Sequence, residues 1–586
     1  MLDGLGRDYV KLNVTNEPES RKQWTRRSLW RWWNQLSRFQ RSMLYLVLFA
    51  ACLGAVYFLH PGRPDGSLDE PREPLQLTTL VDKEGADTAL KEHAQGGKPF
   101  IEKPIQPVFP VADGDGNQNQ VGSPPRGAVK FSGPTNDRQK AVVAAFKHAW
   151  RGYKKFAWGH DHLRPITASY HNWFSLGLTI VDALDTSYIM GLSEEFSEAK
   201  DWVEKSLHFD VSKDVNLFEV TIRVLGSLLS TYHLTADKMF LDKAVDLGTR
   251  LLPCFQSESG VPFSDVNLAT RKAHSPKWSP DSSTSEVTTI QLEFRDLSRC
   301  TGDPRFEDSV SKVSLHVHNL PKTEGLVPIF INANTGQFRM YSTITLGARG
   351  DSYYEYLLKQ WLQTGRTVDY FRDDYLEAIA GVQKLLVRRT NPNKYLFVGE
   401  LLAGGRDFKP KMDHLTCYLP GTLALGVHSG LPKSHMRLAE ELLFTCYQTY
   451  AQQPTFLAPE ITYFNIQEGA KTDFYVKTND AHNLLRPEFV ESLWYMYQLT
   501  GNRTYQQWGW NIFQAFEKYA KVTNGYTSLG NVRNTLNTRP RDMMESFFLG
   551  ETLKYLYLLF SDDRHLISLD DYVVNSEAHL MPIYDT

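Results

Sequence analysis

The stretch RQKAVVAAFKHAWRGYKKFAW, Arg138 to Trp158, sets Val142, Ala145, Phe146, Ala149, Trp150 and Tyr153 at helical spacing on one stripe. Downstream, residues 176–191, 217–234, 237–252, 286–301, 352–364, 371–387, 434–451, 487–500, 504–520 and 542–560 are also helix-like, separated by Gly, Pro and Asn/Asp clusters. Sustained strand alternation is rare, and TNGYTSLGNV (Thr523 to Val532) predicts one short hairpin. Paired helices suit either a solenoid or a closed ring of helical hairpins. A solenoid carries a sequence period of roughly 20–50 residues, and none is found. The expectation is an all-α domain closed into an α/α barrel over residues 135–586.

Upstream the texture changes. Residues 60–134 hold Pro61, Pro64, Pro71, Pro74, Pro104, Pro107, Pro110, Pro124 and Pro125, with the polar run DGDGNQNQ, Asp113 to Gln120. Such a segment buries too little apolar surface to offset its ordering entropy and predicts a disordered stem. Before it, MLYLVLFAACLGAVYFL (Met43 to Leu59) is 17 residues without a charge, the lower edge of a membrane span. Residues 1–42 carry Arg21, Lys22, Arg26, Arg27, Arg31, Arg38 and Arg41, whereas acidic residues dominate just after the span. The positive-inside rule then predicts a cytosolic basic tail, a type II signal-anchor and a luminal remainder. A cleaved signal peptide fits less well, because the apolar run starts late and exceeds the usual length.

Hydrophobic residues make up 42% of the 586, enough for a large core, and a net charge of −3 argues against nucleic acid as a partner. Cys52 falls in the span. Cys254, Cys300, Cys417 and Cys446 would face an oxidising lumen, where spacing alone leaves three full pairings open. No CxxC or His/Cys spacing suggests zinc. Asn502-Arg503-Thr504 is a glycosylation sequon.

Inside the apolar helices lie acidic motifs: NLFEVTIR (Asn216 to Arg223), GARGDSYYEYL (Gly347 to Leu357), KMDH (Lys411 to His414), LAPEI (Leu457 to Ile461), LLRPEFVES (Leu484 to Ser492), ESFFLGETLKYL (Glu545 to Leu556) and NSEAH (Asn575 to His579). Ionised groups are costly to bury unless paired or used, so the set points to a carboxylate-lined cavity. Glu219 and Arg223 share a helix face, as do Glu488 and Glu491. Paired carboxylates are the equipment of glycoside hydrolysis, and clustered oxygens suit a hard cation such as calcium. A lone helical Glu is most often a surface or capping group. Glu545 fits that description, while Glu219 and Glu488 have apolar neighbours.

Together with AWGHD (Ala157 to Asp161), LGLTIVDALDT (Leu176 to Thr186), PFSDVNL (Pro262 to Leu268), EVTTIQLEFR (Glu286 to Arg295) and GLVPIFIN (Gly325 to Asn332), these motifs closely resemble the class I α-1,2-mannosidases, glycoside hydrolase family 47, from about Arg138 to Ile583. The resemblance implies an (αα)7 barrel plugged at one end by a hairpin, with a calcium ion at the base of its lumen. It implies inverting hydrolysis of terminal α-1,2-linked mannose from high-mannose N-glycans, in N-glycan trimming and glycoprotein quality control. Carried over, Glu219 matches the general acid, Glu488 the base, Asp351 a third essential carboxylate and Glu460 a further active-site carboxylate. Ser576 stands where Thr is usual as the direct calcium ligand, and Glu491, Glu551 and Glu577 match carboxylates that hold calcium-bound waters. Phe547 matches the aromatic beneath the sugar. Arg223, Glu286, Arg349, Asp413, His414 and Arg486 match glycan or active-site contacts. Cys417 and Cys446 match the family's disulfide, leaving Cys254 and Cys300 as free thiols. Other departures are His162, where an acidic residue is common, and Leu580, where Pro is common. Arg349 resembles endoplasmic-reticulum-type members, which implies removal of one middle-branch mannose from the nine-mannose glycan. A Golgi-type enzyme of broader trimming and a glycan-binding lectin are the alternatives. Arg349 weighs against the first and the intact carboxylate set against the second.

Overall fold

The computed structural model describes residues 128–277 and 279–584. The expected basic tail, the Met43–Leu59 span and most of the stem lie outside the described residues. Among the described residues no helix is long and apolar enough to cross a membrane.

Helix α1 (Asp137–Phe156) bears out the opening motif. The Asn136 side chain caps it by accepting from the Gln139 N–H at 3.0 Å, which satisfies one orphan donor of the first turn. All six stripe residues are 2% exposed or less, each large side chain contributing roughly 1.5–3 kcal/mol by burial. The end of the expected stem lies against the barrel: Val129 N donates to Leu234 O at 2.9 Å and Tyr188 Oη donates to Val129 O at 2.7 Å.

The remaining helices pair as hairpins. Helix α2 (Leu184–Ile189) packs on α3 (Ser193–Ser206), α4 (Gly226–Thr235) on α5 (Lys238–Leu251), and α6 (Gln291–Thr301) on α7 (Pro304–Asn319). Likewise α8 (Asp351–Gln363) packs on α9 (Asp369–Gly381), α10 (Leu419–His428) on α11 (Ser434–Ala451), and α12 (Glu488–Thr500) on α13 (Arg503–Ala515). Helix α14 (Leu553–Leu559) pairs with α1. The even-numbered helices also touch in succession, α2 on α4 through α12 on α14, and the turn Phe548–Thr552 leading into α14 closes back on α2. The result is a closed α/α barrel.

Burial separates the two rings. Every residue of α14, and every residue of α8 after Asp351, is buried, as expected of helices enclosed on all sides. Outer α5 buries only the stripe Phe240, Leu241, Ala244, Leu247, Gly248 and Leu251. This explains one helix the sequence reading passed over: α10, LPGTLALGVH, is buried along almost its whole length and has no polar face to create a period. Helices α3 and α7 were also passed over, although Asp303 followed by Pro304 is a cap-and-start signature that marks α7.

The all-α expectation needs amending. Short strands of two to four residues form small two- and three-stranded sheets in the loops. The hairpin expected at Thr523–Val532 is shorter and earlier, pairing Lys521–Val522 with Gly525–Tyr526. The C-terminal hairpin, Tyr572–Val574 with Leu580–Pro582, packs on α4, α6 and α8 and presents its turn Asn575–His579 to the lumen. Asn575 fixes that turn. Its Oδ1 accepts from Glu577 N and His579 N, both at 2.8 Å, and its Nδ2 donates to Ile222 O at 2.9 Å. The wall opposite must be bare: a Cβ on Gly226 would stand 2.6 Å from Asn575 Nδ2.

Candidate active site

The inner helices deliver their chemistry from their first turns. Glu219 lies in the short helix Leu217–Val220 that runs into α4, and Glu286 in Thr284–Thr288 before α6. Asp351 opens α8, His414 opens the 3-10 turn His414–Tyr418 before α10, and Glu488 opens α12. Phe547 caps the turn into α14. All therefore face one end of the barrel, where helix dipoles favour anionic groups. Arg223, Glu491 and Glu551 sit three or four residues further on, one turn deeper. Arg223 and Glu551 both ride on π-helical turns, Thr221–Leu225 and Phe548–Thr552, a local widening often found at functional sites.

At the upper level the carboxylates are matched by guanidiniums and by a hydrogen-bonding imidazole. Glu460 is bound by Arg486, whose Nε donates to Glu460 Oε1 at 2.8 Å and whose Nη2 lies 2.6 Å from the same oxygen. Glu488 Oε2 is 2.8 Å from His414 Nδ1, and Glu488 Oε1 is 3.8 Å from Arg486 Nη1. Burial opposes the ionised form of Glu488, but the hydrogen bond from His414 and the charge of Arg486 hold the carboxyl below its ordinary value. Asp351 has no such partner. Its Oδ1 receives the Ser352 N–H at 2.9 Å, yet burial, reinforced by Glu355, Glu488 and Asp413, pushes the carboxyl up to about 7. Phe547 is flanked by two guanidiniums, with Arg223 5.6 Å and Arg486 6.0 Å from its ring centroid.

Arg223 links the two levels. It donates through Nε to Glu219 at 2.9 Å and through Nη1 to Glu577 at 2.9 Å, and its Nη2 lies 2.8 Å from Glu577. Its guanidinium is thus committed to protein carboxylates, a bridging role the sequence reading did not foresee. Below, Glu551 and Glu577 repel each other. Burial first, then Glu577, raises the Glu551 carboxyl well above its ordinary value. Burial likewise pushes Glu577 up to about 7 against the pull of Arg223. Glu491 is also raised by burial, although the Lys359 ammonium lies 3.7 Å away. Lys359, fully buried between Glu355 and Glu491, escaped the sequence reading. A Lys four residues after a Glu on an apolar helix was the available signal.

This floor fits a hard cation. Three crowded, buried carboxylates lack enough positive charge, and Ser576 brings a hydroxyl and a carbonyl on the turn that Asn575 fixes. A separate group, His233, Asp296 and Cys300, sits toward the opposite ends of α4 and α6. Its members already contact one another, with His233 Nε2 2.7 Å from Asp296 Oδ2.

The rim holds the remaining expected residues. Arg349 Nη1 is 3.6 Å from Glu286, and its backbone is left-handed, φ 75°. A non-glycine residue in that region is a strained position of the kind that gathers at functional sites. Asp413 accepts from Lys411 at 3.0 Å, and Lys411 also meets Glu400 at 2.8 Å. Arg349, Glu400, Lys411 and Asp413, with Tyr463, Tyr475 and Lys477, line a cavity of about 700 Å³. Glu545 corrects the sequence reading. Its side chain is only 25% exposed, and burial raises its carboxyl near Arg223, Arg486 and Arg541, so it belongs to the cavity wall and not to the surface. Cys417 and Cys446 are bridged, and Cys254 and Cys300 are free and buried.

Comparison with known proteins agrees with this architecture. The chain is 46% identical to the human endoplasmic reticulum mannosyl-oligosaccharide 1,2-alpha-mannosidase, over 99% of this chain and 93% of that protein. It is 41% identical to the Schizosaccharomyces pombe enzyme of the same name, over 78% and 92%. The solved alpha-1,2-mannosidase from Trichoderma reesei superposes with a TM-score of 0.72 at 26% identity, covering 77% of this chain and all of that one. Residues 145–583, which hold every carboxylate described above, match the family model for glycosyl hydrolase family 47, and the chain belongs to that family.

Proposed function

We propose that this protein hydrolyses terminal α-1,2-linked mannose from high-mannose N-glycans with inversion, and that it prefers one middle-branch mannose of the nine-mannose glycan. The observation that carries the reading is the split between two carboxyls in one lumen: Glu488 held ionised and Asp351 pushed up to about 7. Environments that drive two carboxyls apart mark an acid/base site. The activity named for the human and Schizosaccharomyces pombe relatives supplies the sugar and the linkage.

In this reading the mannose ring lies on Phe547. Glu488 removes a proton from a water as that water attacks the anomeric carbon. The bond from that carbon to the leaving oxygen breaks, and Glu219 supplies the oxygen's proton through a second water. Asp351 keeps a proton available beside them, and Arg486 holds Glu460 against the ring. An inverting pair stands about 6.5–9.5 Å apart to admit the attacking water. Ser576 would hold calcium directly, with Glu491, Glu551 and Glu577 acting through waters. When bound, the ion orients sugar hydroxyls and offsets the floor's negative charge. Arg349, beside Glu286, would read the neighbouring branch. Its rigid fork favours the endoplasmic-reticulum specificity over the broader Golgi type.

The seven inner–outer pairs support an (αα)7 barrel. We place it in the lumen of the endoplasmic reticulum, tethered by the Met43–Leu59 signal-anchor and the stem. Incubating the luminal domain with a nine-mannose glycan, with and without chelator, tests the reading. Release of a single middle-branch mannose, lost on chelation, is expected. Binding without release would favour a lectin.

A further inference from the structure

The base in this reading is held by a side chain that is itself held. His414 Nδ1 lies 2.8 Å from Glu488 Oε2, and His414 Nε2 lies 2.6 Å from the phenol oxygen of Tyr450. Tyr450 sits on outer helix α11, outside the ring that carries the carboxylates, and is 0% exposed. We propose that Tyr450 is a positioning residue whose hydroxyl donates to Nε2 and so holds the orientation of His414 in the Nδ1–H tautomer that Glu488 requires, and through it the catalytic carboxylate of Glu488.

The proton inventory leads there. A carboxylate accepts only, so the His414 nitrogen facing Glu488 must carry a hydrogen. The other nitrogen of a neutral ring then offers a lone pair, and the Tyr450 hydroxyl has a proton to donate. That arrangement leaves no buried proton in the triad unpaired. If both ring nitrogens were protonated, the phenol would have to accept, and its own hydrogen would be orphaned in a fully buried site, which is costly. The flipped neutral tautomer would turn a lone pair toward the carboxylate. Which ring nitrogen bears the proton is set by the hydrogen bond at the other.

The covalent frame holds the same partners in place. Cys446, four residues before Tyr450, is on the same face of α11, and Cys417 is three residues after His414 in its 3-10 turn. The Cys417–Cys446 bridge therefore joins the two elements that carry the phenol and the imidazole. Ser492, one turn after Glu488 on α12, donates through Oγ to Tyr418 O at 3.0 Å, tying the third element to the same turn. The phenol is packed by Phe489, ring centroids 5.1 Å apart. Around Glu488 the other charged groups are Arg486 at 3.8 Å and, further off, Asp351, Glu491 and Glu551. None of these touches the far nitrogen of His414 in the way Tyr450 does.

This inference rests on the mannosidase reading for its kinetic test. Tyr450→Phe deletes only the hydroxyl and keeps the packing. It should lower kcat on the nine-mannose glycan about tenfold, one hydrogen bond's worth, with KM within about twofold of wild type. His414→Asn keeps a donor toward Glu488 but needs no partner behind it. Adding Tyr450→Phe to His414→Asn should therefore cost less than about twofold more, because the relay is already gone. Full activity in Tyr450→Phe overturns the proposal. So does an additive cycle, which would mean that Tyr450 acts by packing alone, and the cycle keeps that power even if the variant melts earlier. A second readout needs no turnover: nitrogen-15 histidine spectra should show His414 as the Nδ1–H tautomer with a hydrogen-bonded Nε2 in wild type, and in Tyr450→Phe the Nε2 resonance should move to that of a lone pair without a donor. An unchanged spectrum overturns the proposal. Wild-type protein that shows the tautomer but releases no mannose would sink the mannosidase reading and leave this one standing.

Discussion

The two levels of the lumen differ in how they settle buried charge. At the upper level, Glu460 has Arg486, Glu488 has His414 and Arg486, and Glu219 has Arg223. One turn deeper, Glu551 and Glu577 face each other with only Arg223 between the levels, and both are pushed upward. Asp351 is the upper-level exception, and it too is raised. Paired carboxylates are fixed in position, and Glu488 is also held ionised, which suits a base. Crowded ones wait for a proton or a cation, which suits a metal floor.

The strongest way to break this contrast is at the paired level. Glu488→Gln removes the base at nearly constant volume, and hydrolysis should fall at least about 10³-fold while the fold is kept. Turnover near that of wild type would show that Glu488 is not the base. Next comes the floor. Chelation should stop release of mannose and also lower the melting temperature, since a ligand bound only to the folded state stabilises it by about 4 kcal/mol at a thousandfold excess over Kd. An unchanged melt with full activity would remove the metal from the floor.

Much of this contrast was readable in the sequence. Spacing alone put Arg223 on the face of Glu219 and Glu491 on the face of Glu488, one turn apart, and those turns became the two levels. Charge in an apolar motif marked the cavity. What stayed hidden depended on tertiary approach. Glu545 looked like a capping group because its sequence position is a helix start. Only the hairpin through His162 and the side chains of Arg223 and Arg486 enclose it. Helix α10 had no polar face to give it a period, and Tyr450 lay in an amphipathic outer helix where a tyrosine is ordinary.

A smaller effect sharpens the floor's side of the contrast. In metal-free protein the folded Glu577 carboxyl titrates near 7, well above the value of an unfolded glutamate. Between about pH 4.5 and 7 the native state keeps a proton that the unfolded chain has given up, so stability should fall as pH rises through that window. The loss is at most about 3 kcal/mol from this group. With calcium the trend should reverse, because the cation competes with the proton for the same oxygens. Melting curves in chelator and in calcium from pH 4.5 to 7 measure both slopes. A flat chelator series would mean that the floor carboxylates are not crowded.

The smallest effect falls on the rim, which neither level explains. Arg349 holds a left-handed backbone that costs a non-glycine residue about 1 kcal/mol or more. It is also half-exposed, so its 3.6 Å approach to Glu286 adds little stability in return. If that strain persists because the guanidinium reads a branch, stability and selectivity should separate on substitution. Arg349→Leu keeps the strain and removes the fork, so the set of released mannoses should broaden with little change in melting. Arg349→Gly should broaden it equally while raising the melting temperature slightly, because glycine relaxes the backbone. Branch analysis of the products beside a melting curve reads both. An unchanged product pattern in both variants would make Arg349 a structural oddity, and the choice of branch would then fall to the cavity beyond it, where Tyr463, Tyr475 and Lys477 stand.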